Sequence, residues 1–269
     1  MDRPQYLNWF VQEENVVFED SEPLTCYKLS FAPDEAALED WALHIRRHYV
    51  PDYELTDDAA SHALTIEDYL REFVIPQKKE SFGPTARSND FSEILFSDLF
   101  EFLLNFEVPR CKQYNRSGKN ESEHGTDIIA FKFFKNAKEP SRNDELVAIE
   151  VKARLSSSEA CAVIKDAADD SKKDEHRVAH TLNYYRKKLR SMGRAEEAES
   201  VARFQQKVEK PYKLSYVGAA ISSLPDIKGH IIVGIKGTEL ELKTNQSIVY
   251  VHGEDLMSLA HQVFERCTR

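Results

Sequence analysis

Gly125-Thr126-Asp127-Ile128-Ile129-Ala130-Phe131 and, after a charged loop, Leu146-Val147-Ala148-Ile149-Glu150-Val151-Lys152 decide how this chain is read. Both are short apolar runs rich in β-branched residues, which predicts strands over about 127–134 and 145–153. The loop between them contains Pro140, so the two runs read as the arms of a hairpin. Interior strands rarely accept charge, because an unpaired buried carboxylate or ammonium is costly unless a partner or a metal compensates it. Here an acid opens one strand, and Glu-x-Lys sits inside the other. Glu150 and Lys152 are two apart, so both point to one face. A closed hairpin would place Asp127 opposite them. Two carboxylates and the Val151 carbonyl form a hard oxygen site suited to Mg²⁺ or Mn²⁺. Beside it, Lys152 can orient a water or stabilise charge developing on a phosphodiester. A structural ion pair between Lys152 and Glu150 or Asp127 is the alternative.

Upstream, Phe91–Asn105 predicts a helix apolar almost all round, and therefore buried, with Ser88, Asn89 or Asp90 as its cap. Glu93 lies inside it and is the auxiliary candidate, positioned for a second ion or its water. Three other Asp/Glu-x-Lys sets occur, at 170–172, 226–228 and 241–243. The first lies between helical patterns and the second in a Pro/Gly-bounded loop. The third is expected in a half-exposed edge strand. None has an apolar strand around it with acids upstream.

Downstream, helical patterns cover about 159–208. Strands are expected near 214–221, 231–235 and 248–251, with a closing helix near 254–266. This order predicts an α/β fold, with a mixed central sheet flanked by helices. The first region, 1–87, contains an expected strand (24–31) and helices (33–48 and 66–74). The polar, breaker-rich segment 76–90 reads as a linker to the second region, 88–269.

The net charge of −10 is unevenly distributed. Residues 1–80 hold 18 acids and 7 bases, whereas the other 189 hold 28 acids and 29 bases. Lys172, Lys173, Arg177, Arg186, Lys187 and Lys188 form a basic stretch that can contact phosphates or be a solvated helix face. Tyr184 and Tyr185 can stack on bases, although core packing is the expected role. His176 and His180 are four apart but lack the Glu of a metalloprotease motif. No P-loop or Gly-x-Gly-x-x-Gly occurs, so ATP binding by this chain is not expected. The four cysteines form no Cys-x-x-Cys pair, no apolar run reaches ~20 residues, and the start does not resemble a signal peptide. A cytoplasmic protein is expected.

These motifs resemble the PD-(D/E)xK, or restriction-endonuclease-like, nuclease superfamily, with Thr126 in place of its proline. More narrowly, the acidic first region, the length and the run 91–152 resemble the HamA family, nuclease subunits of Hachiman anti-phage defence. The resemblance implies a Mg²⁺-dependent DNase with Asp127, Glu150, Lys152 and Glu93 at its site, working with a separate ATP-dependent helicase, HamB. The acidic region would then be a docking surface for that helicase. Two rival readings remain open: a non-catalytic DNA-binding or helicase-regulating module, and an RNA-directed nuclease.

Overall fold

The computed structural model describes residues 2–121, 123 and 125–269. Among the described residues there are eight strands: β1 (Phe10–Glu13), β2 (Val17–Phe18), β3 (Thr25–Leu29), β4 (Ile128–Lys132), β5 (Glu145–Arg154), β6 (Lys213–Ser222), β7 (Ile231–Ile232) and β8 (Gln246–Gly253). Six of them form one mixed sheet in the order β1-β3-β8-β6-β5-β4. The outer pairs, β1–β3 and β4–β5, are antiparallel, and the four central strands β3, β8, β6 and β5 run parallel. β2 and β7 form a separate two-stranded parallel ribbon.

The helices are α1 (Glu35–Tyr49), α2 (Asp52–Ser61), α3 (Ile66–Tyr69), α4 (Gly83–Asp98), α5 (Ala160–Ser171), α6 (Asp174–Ser191), α7 (Ala195–Ala202) and α8 (Leu256–Arg266). The Asp34 carboxylate accepts from the Ala36 and Ala37 N–H groups and caps α1, while Arg46 and Arg47 in its last turn complement the dipole. One sheet face packs on α1, α4 and α8 through Trp41, Phe91, Phe96 and Phe264. The other face is covered by α5 near β8 and by α6 and α7 near β4. Gly218 of β6 allows α5 to pack closely, since a Cβ there would lie 2.7 Å from the Ala167 carbonyl oxygen. Among the described residues, no helix is long and apolar enough to cross a membrane.

Several boundaries differ from those expected. The second half of the segment 76–90 is helix: α4 begins at Gly83 with Pro84 in its first turn, so Ser88, Asn89 and Asp90 are interior rather than capping. The division at 87/88 falls inside α4, and residues before it supply β1 and β3 to the same sheet. α4 continues into a π-helical turn, Leu99–Leu103. α2 was not anticipated, having only Leu55 and Ala59 buried. Residues 241–243 are not a strand; a short 3₁₀ turn ends there, with Glu241 at φ +47°.

Candidate active site

β5 and β6 are parallel, and the crossover helix α5 follows β5. This puts the end of β5 at the carboxyl edge of the parallel strands, where sheets of this kind bind ligands. β4 runs antiparallel to β5 with Ile128 opposite Ile149, so Asp127, immediately before β4, arrives beside Glu150. Its Oδ2 accepts the Val151 N–H at 2.8 Å. The turn into β4 depends on Gly125, whose φ is +116° and whose missing Cβ would lie 2.7 Å from Thr181 Oγ1. Thr126, where the superfamily has proline, is locked in place: its N–H donates to Thr181 Oγ1 and its hydroxyl to Asp174 Oδ1, both at 3.0 Å.

Glu150 and Lys152 share the sheet face toward α5 and α6. Lys152 Nζ donates to Glu150 Oε1 at 2.9 Å and reaches Asp170 Oδ2, on α5, at 2.7 Å. Burial works against the ammonium's charge, but its hydrogen bonds to Asp170 and Glu150 outweigh that and raise its pKa above the usual lysine value. Lys152 is therefore a fixed cation near neutral pH.

Glu93 enters from α4, and the cleft it shares with Asn89, Asp127, Glu150, Val151, Lys152 and Ala153 has a volume of about 250 Å³. The buried Lys112 ammonium lies between Glu93 (3.6 Å) and Asp127 (3.3 Å). Gln113 Nε2 donates to Glu93 at 3.1 Å. Burial nevertheless dominates and pushes the Glu93 carboxyl up to about 7. Burial, then the charge of Asp127, also raises Glu150. Asp174 is pushed up to about 7 by burial and the charge of Glu150, and its Oδ2 has no hydrogen-bond partner among the described residues. The donor set is thus an all-oxygen cluster short of positive charge, with a cation already seated between two of its members. It fits a hard divalent ion.

The expected catalytic and metal-ligand residues, Glu93, Asp127, Glu150, Val151 and Lys152, line one cleft. Of the basic stretch, Arg177 reaches Glu150 Oε2 at 3.5 Å, and Lys173 pairs with Asp170 beside Lys152. Lys172 instead turns to Asp169 and the Leu240 carbonyl. Arg186, Lys187 and Lys188 lie two to three turns farther along α6, where Lys188 donates to the Asn115 carbonyl. Tyr185 is buried, and its hydroxyl donates to the Asp127 carbonyl at 3.2 Å, fixing the strand opening. His176 and His180 are exposed on α6. Sequence reasoning missed Lys112, Asp170 and Asp174. Lys112 lies in a loop without periodicity, and the two acids are placed by the length of α5 rather than by any local pattern.

An acid from a buried helix, an acid opening a strand and Glu-x-Lys in the antiparallel neighbour meet at the carboxyl edge of a mixed α/β sheet, the arrangement expected from the resemblance to PD-(D/E)xK proteins. The chain belongs to the HamA family, whose family model matches residues 4–267. That membership suggests a role in Hachiman anti-phage defence. No curated protein matches the chain.

Proposed function

We propose that this chain is the nuclease subunit of a two-component nuclease–helicase defence system and hydrolyses DNA phosphodiesters with Mg²⁺ or Mn²⁺. The observation that carries this reading is the convergence of Glu93, Asp127, Glu150 and Lys152, from three separate elements, on one cleft at the strand ends. Asp127, Glu150 and the Val151 carbonyl would hold the ion, which would supply Lewis-acid polarisation of the phosphodiester and a lowered pKa for water. Lys152, kept protonated by Asp170 and Glu150, stabilises negative charge developing on the phosphate. Glu93, with a carboxyl near 7, can exchange a proton at working pH. Arg177 and Lys173, at the rim, would contact the DNA backbone.

An overall acidic chain repels DNA at long range, so the helicase would deliver the substrate. Weak intrinsic DNA affinity, falling steeply with salt, is expected. Exposed acids such as Asp57, Glu67 and Glu72 would offer the helicase a docking surface. Their reversal to lysine should lower co-purification with it, and unchanged capture would remove that role. Because β1 and β3 belong to the central sheet, charge reversal tests docking where truncation would destroy the fold.

One observation favours a non-catalytic module: Lys112, Lys152 and Arg177 already pair with the site carboxylates. Plasmid cleavage by the chain with and without the helicase, in Mg²⁺, Mn²⁺ and EDTA, separates the readings. Metal-dependent cleavage that falls at least about a thousandfold in a Glu150→Ala/Lys152→Ala variant is expected. Silence on DNA with an active helicase present would reject the DNase reading, and a parallel RNA substrate would then separate the RNA-directed nuclease from the non-catalytic module.

A further inference from the structure

At the opposite side of the sheet, β1, β3 and β8 bring a carboxylate, a thiol and an imidazole together. Glu13 pairs with Cys26 across β1 and β3. Cys26 stands beside Tyr250, and His252 lies two residues farther on, on the same face of β8. Cys26 and His252 are fully buried, while the Glu13 side chain is 19% exposed at the sheet edge. One oxygen of Glu13, the Cys26 sulfur and one His252 ring nitrogen all lie within 4.8 Å of one another.

The hydrogen bonding of His252 is unusual. Its Nδ1 lies 2.7 Å from the Leu224 carbonyl oxygen and its Nε2 lies 2.9 Å from Glu13 Oε2. Both neighbours are acceptors, but a neutral imidazole has one N–H to give. The carbonyl claims it, because a carbonyl oxygen can only accept. Nε2 then directs a lone pair at a carboxylate. Lys28, opposite His252 in the register of β3 and β8, pairs with Asp226 at 2.5 Å. Either a proton lies between Nε2 and Glu13, on the ring or on the carboxyl, or a cation belongs between these groups.

From this arrangement we propose a Zn²⁺ site with Glu13, Cys26 and His252 as protein ligands and water at the fourth position. Thiolate, imidazole and carboxylate are the donor types zinc prefers. A thiolate and a carboxylate neutralise the ion, so a neutral unit is buried rather than a charge. The Leu224 carbonyl acts as the outer partner that fixes a ligating histidine's tautomer. On binding, the Cys26 thiol gives its proton to solvent and its sulfur lone pair to the metal. A tetrahedral ion holds its donors about 3.5 Å apart, so the His252–Glu13 pair, now at 2.9 Å, must open slightly as the ion enters, a shift within reach of side-chain rotation. The site would clamp the four-residue edge strand β1 onto β3 and β8. It is independent of the proposed nuclease chemistry: Cys26 lies three strands from Lys152, roughly 14 Å by ordinary strand spacing.

The test is zinc content of the purified full-length protein, followed by Co²⁺ substitution of the wild type and of Cys26→Ser, His252→Ala, Cys161→Ser and Glu150→Ala/Lys152→Ala. About one zinc per chain is expected in the wild type, in Cys161→Ser and in the nuclease-site variant, with loss in Cys26→Ser and His252→Ala. The Co²⁺ form should show a thiolate-to-cobalt absorption band. If the cluster variants fail to fold, the wild-type spectrum decides alone. A wild type that takes up no zinc at micromolar concentration, or a Co²⁺ form without the thiolate band, would overturn the site. So would ¹⁵N spectra of the zinc-treated protein showing both His252 nitrogens protonated, which would make the contact a plain ion pair with Glu13.

Discussion

Glu93 and Asp98 lie five residues apart on the same buried helix, yet their carboxyls are pushed in opposite directions. Asp98 is completely enclosed, but Arg110 at 2.7 Å, His44 at 3.0 Å and the Tyr6 hydroxyl at 2.6 Å all face it. Burial alone would raise its pKa; the Arg110 and His44 contacts, with Tyr6, overcome that and lower it. Glu93 has one lysine at 3.6 Å and one amide, and burial prevails. The difference separates two uses of a buried acid. Asp98 is the centre of a closed network that ties Tyr6 near the chain start, His44 of α1 and Arg110 to α4. Glu93 is undersupplied with positive charge and opens onto a cleft. A buried carboxylate left short of a partner is where a cation or a substrate is expected to complete the set.

The sharpest way to break the comparison is to remove each acid's charge. Asp98→Asn removes the enclosed one of Arg110's two carboxylates, leaving Glu101 at 2.6 Å, and should cost about 3 kcal/mol in denaturant unfolding. Glu93→Gln should be neutral or stabilising at pH 8 without divalent ions, while lowering any metal-dependent cleavage. A substantial loss of stability in Glu93→Gln would mean that the two acids are equivalent structural groups after all.

Lys112→Met should be intermediate. It leaves Glu93 and Asp127 facing each other without a cation, a loss on the order of 2–4 kcal/mol in EDTA. Mg²⁺ or Mn²⁺ should restore much of it, measured as the shift in Tm on adding the ion. Loss that no divalent ion repairs would argue against a metal between these acids.

The pH dependence follows in sign. Raised folded-state carboxyls favour the folded protein when protonated. The contribution of Glu93 is complete below about 4.5 and is lost as pH rises to about 7. Asp174 acts in the same direction between 3.8 and about 7. Stability of the metal-free protein should therefore decline over that window by on the order of 3–4 kcal/mol per group. Glu93→Gln should flatten the decline, and divalent ions should stabilise more at pH 8 than at pH 6. The smallest effect is expected for Lys187→Gln on exposed α6: unfolding within about 0.5 kcal/mol of wild type, with a slightly shallower salt dependence of DNA binding if that face meets phosphate.

How far the chain could be read from its residues follows the same physics. Asp127, Glu150 and Lys152 were legible because a charge inside an apolar strand violates a local pattern, and Glu93 because it interrupts an apolar helix. Lys112, Asp170 and Asp174 were not, since what places them is the return path of a loop and a crossover helix. Pro84 misled: a breaker between polar residues suggested a linker, yet proline in a first turn starts α4. β1 carries too few apolar residues to announce itself, so the acidic first region looked separable although it supplies the sheet's far edge. Glu241-Leu242-Lys243 alternated like a strand, but the left-handed residue at 241 ends a turn there.

The pairing of β3 with β8 joins Thr25 to Val249, and its consequence is temporal. During synthesis at ~5–20 residues per second, β3 leaves the ribosome roughly 10–45 s before the strand it must lie beside. β5 and β6 are made in between, so the middle of the sheet lacks β8 while the cleft residues already exist. Contacts of such long sequence separation slow folding. A chain that still lacks β8 therefore carries its cleft residues on an incomplete sheet.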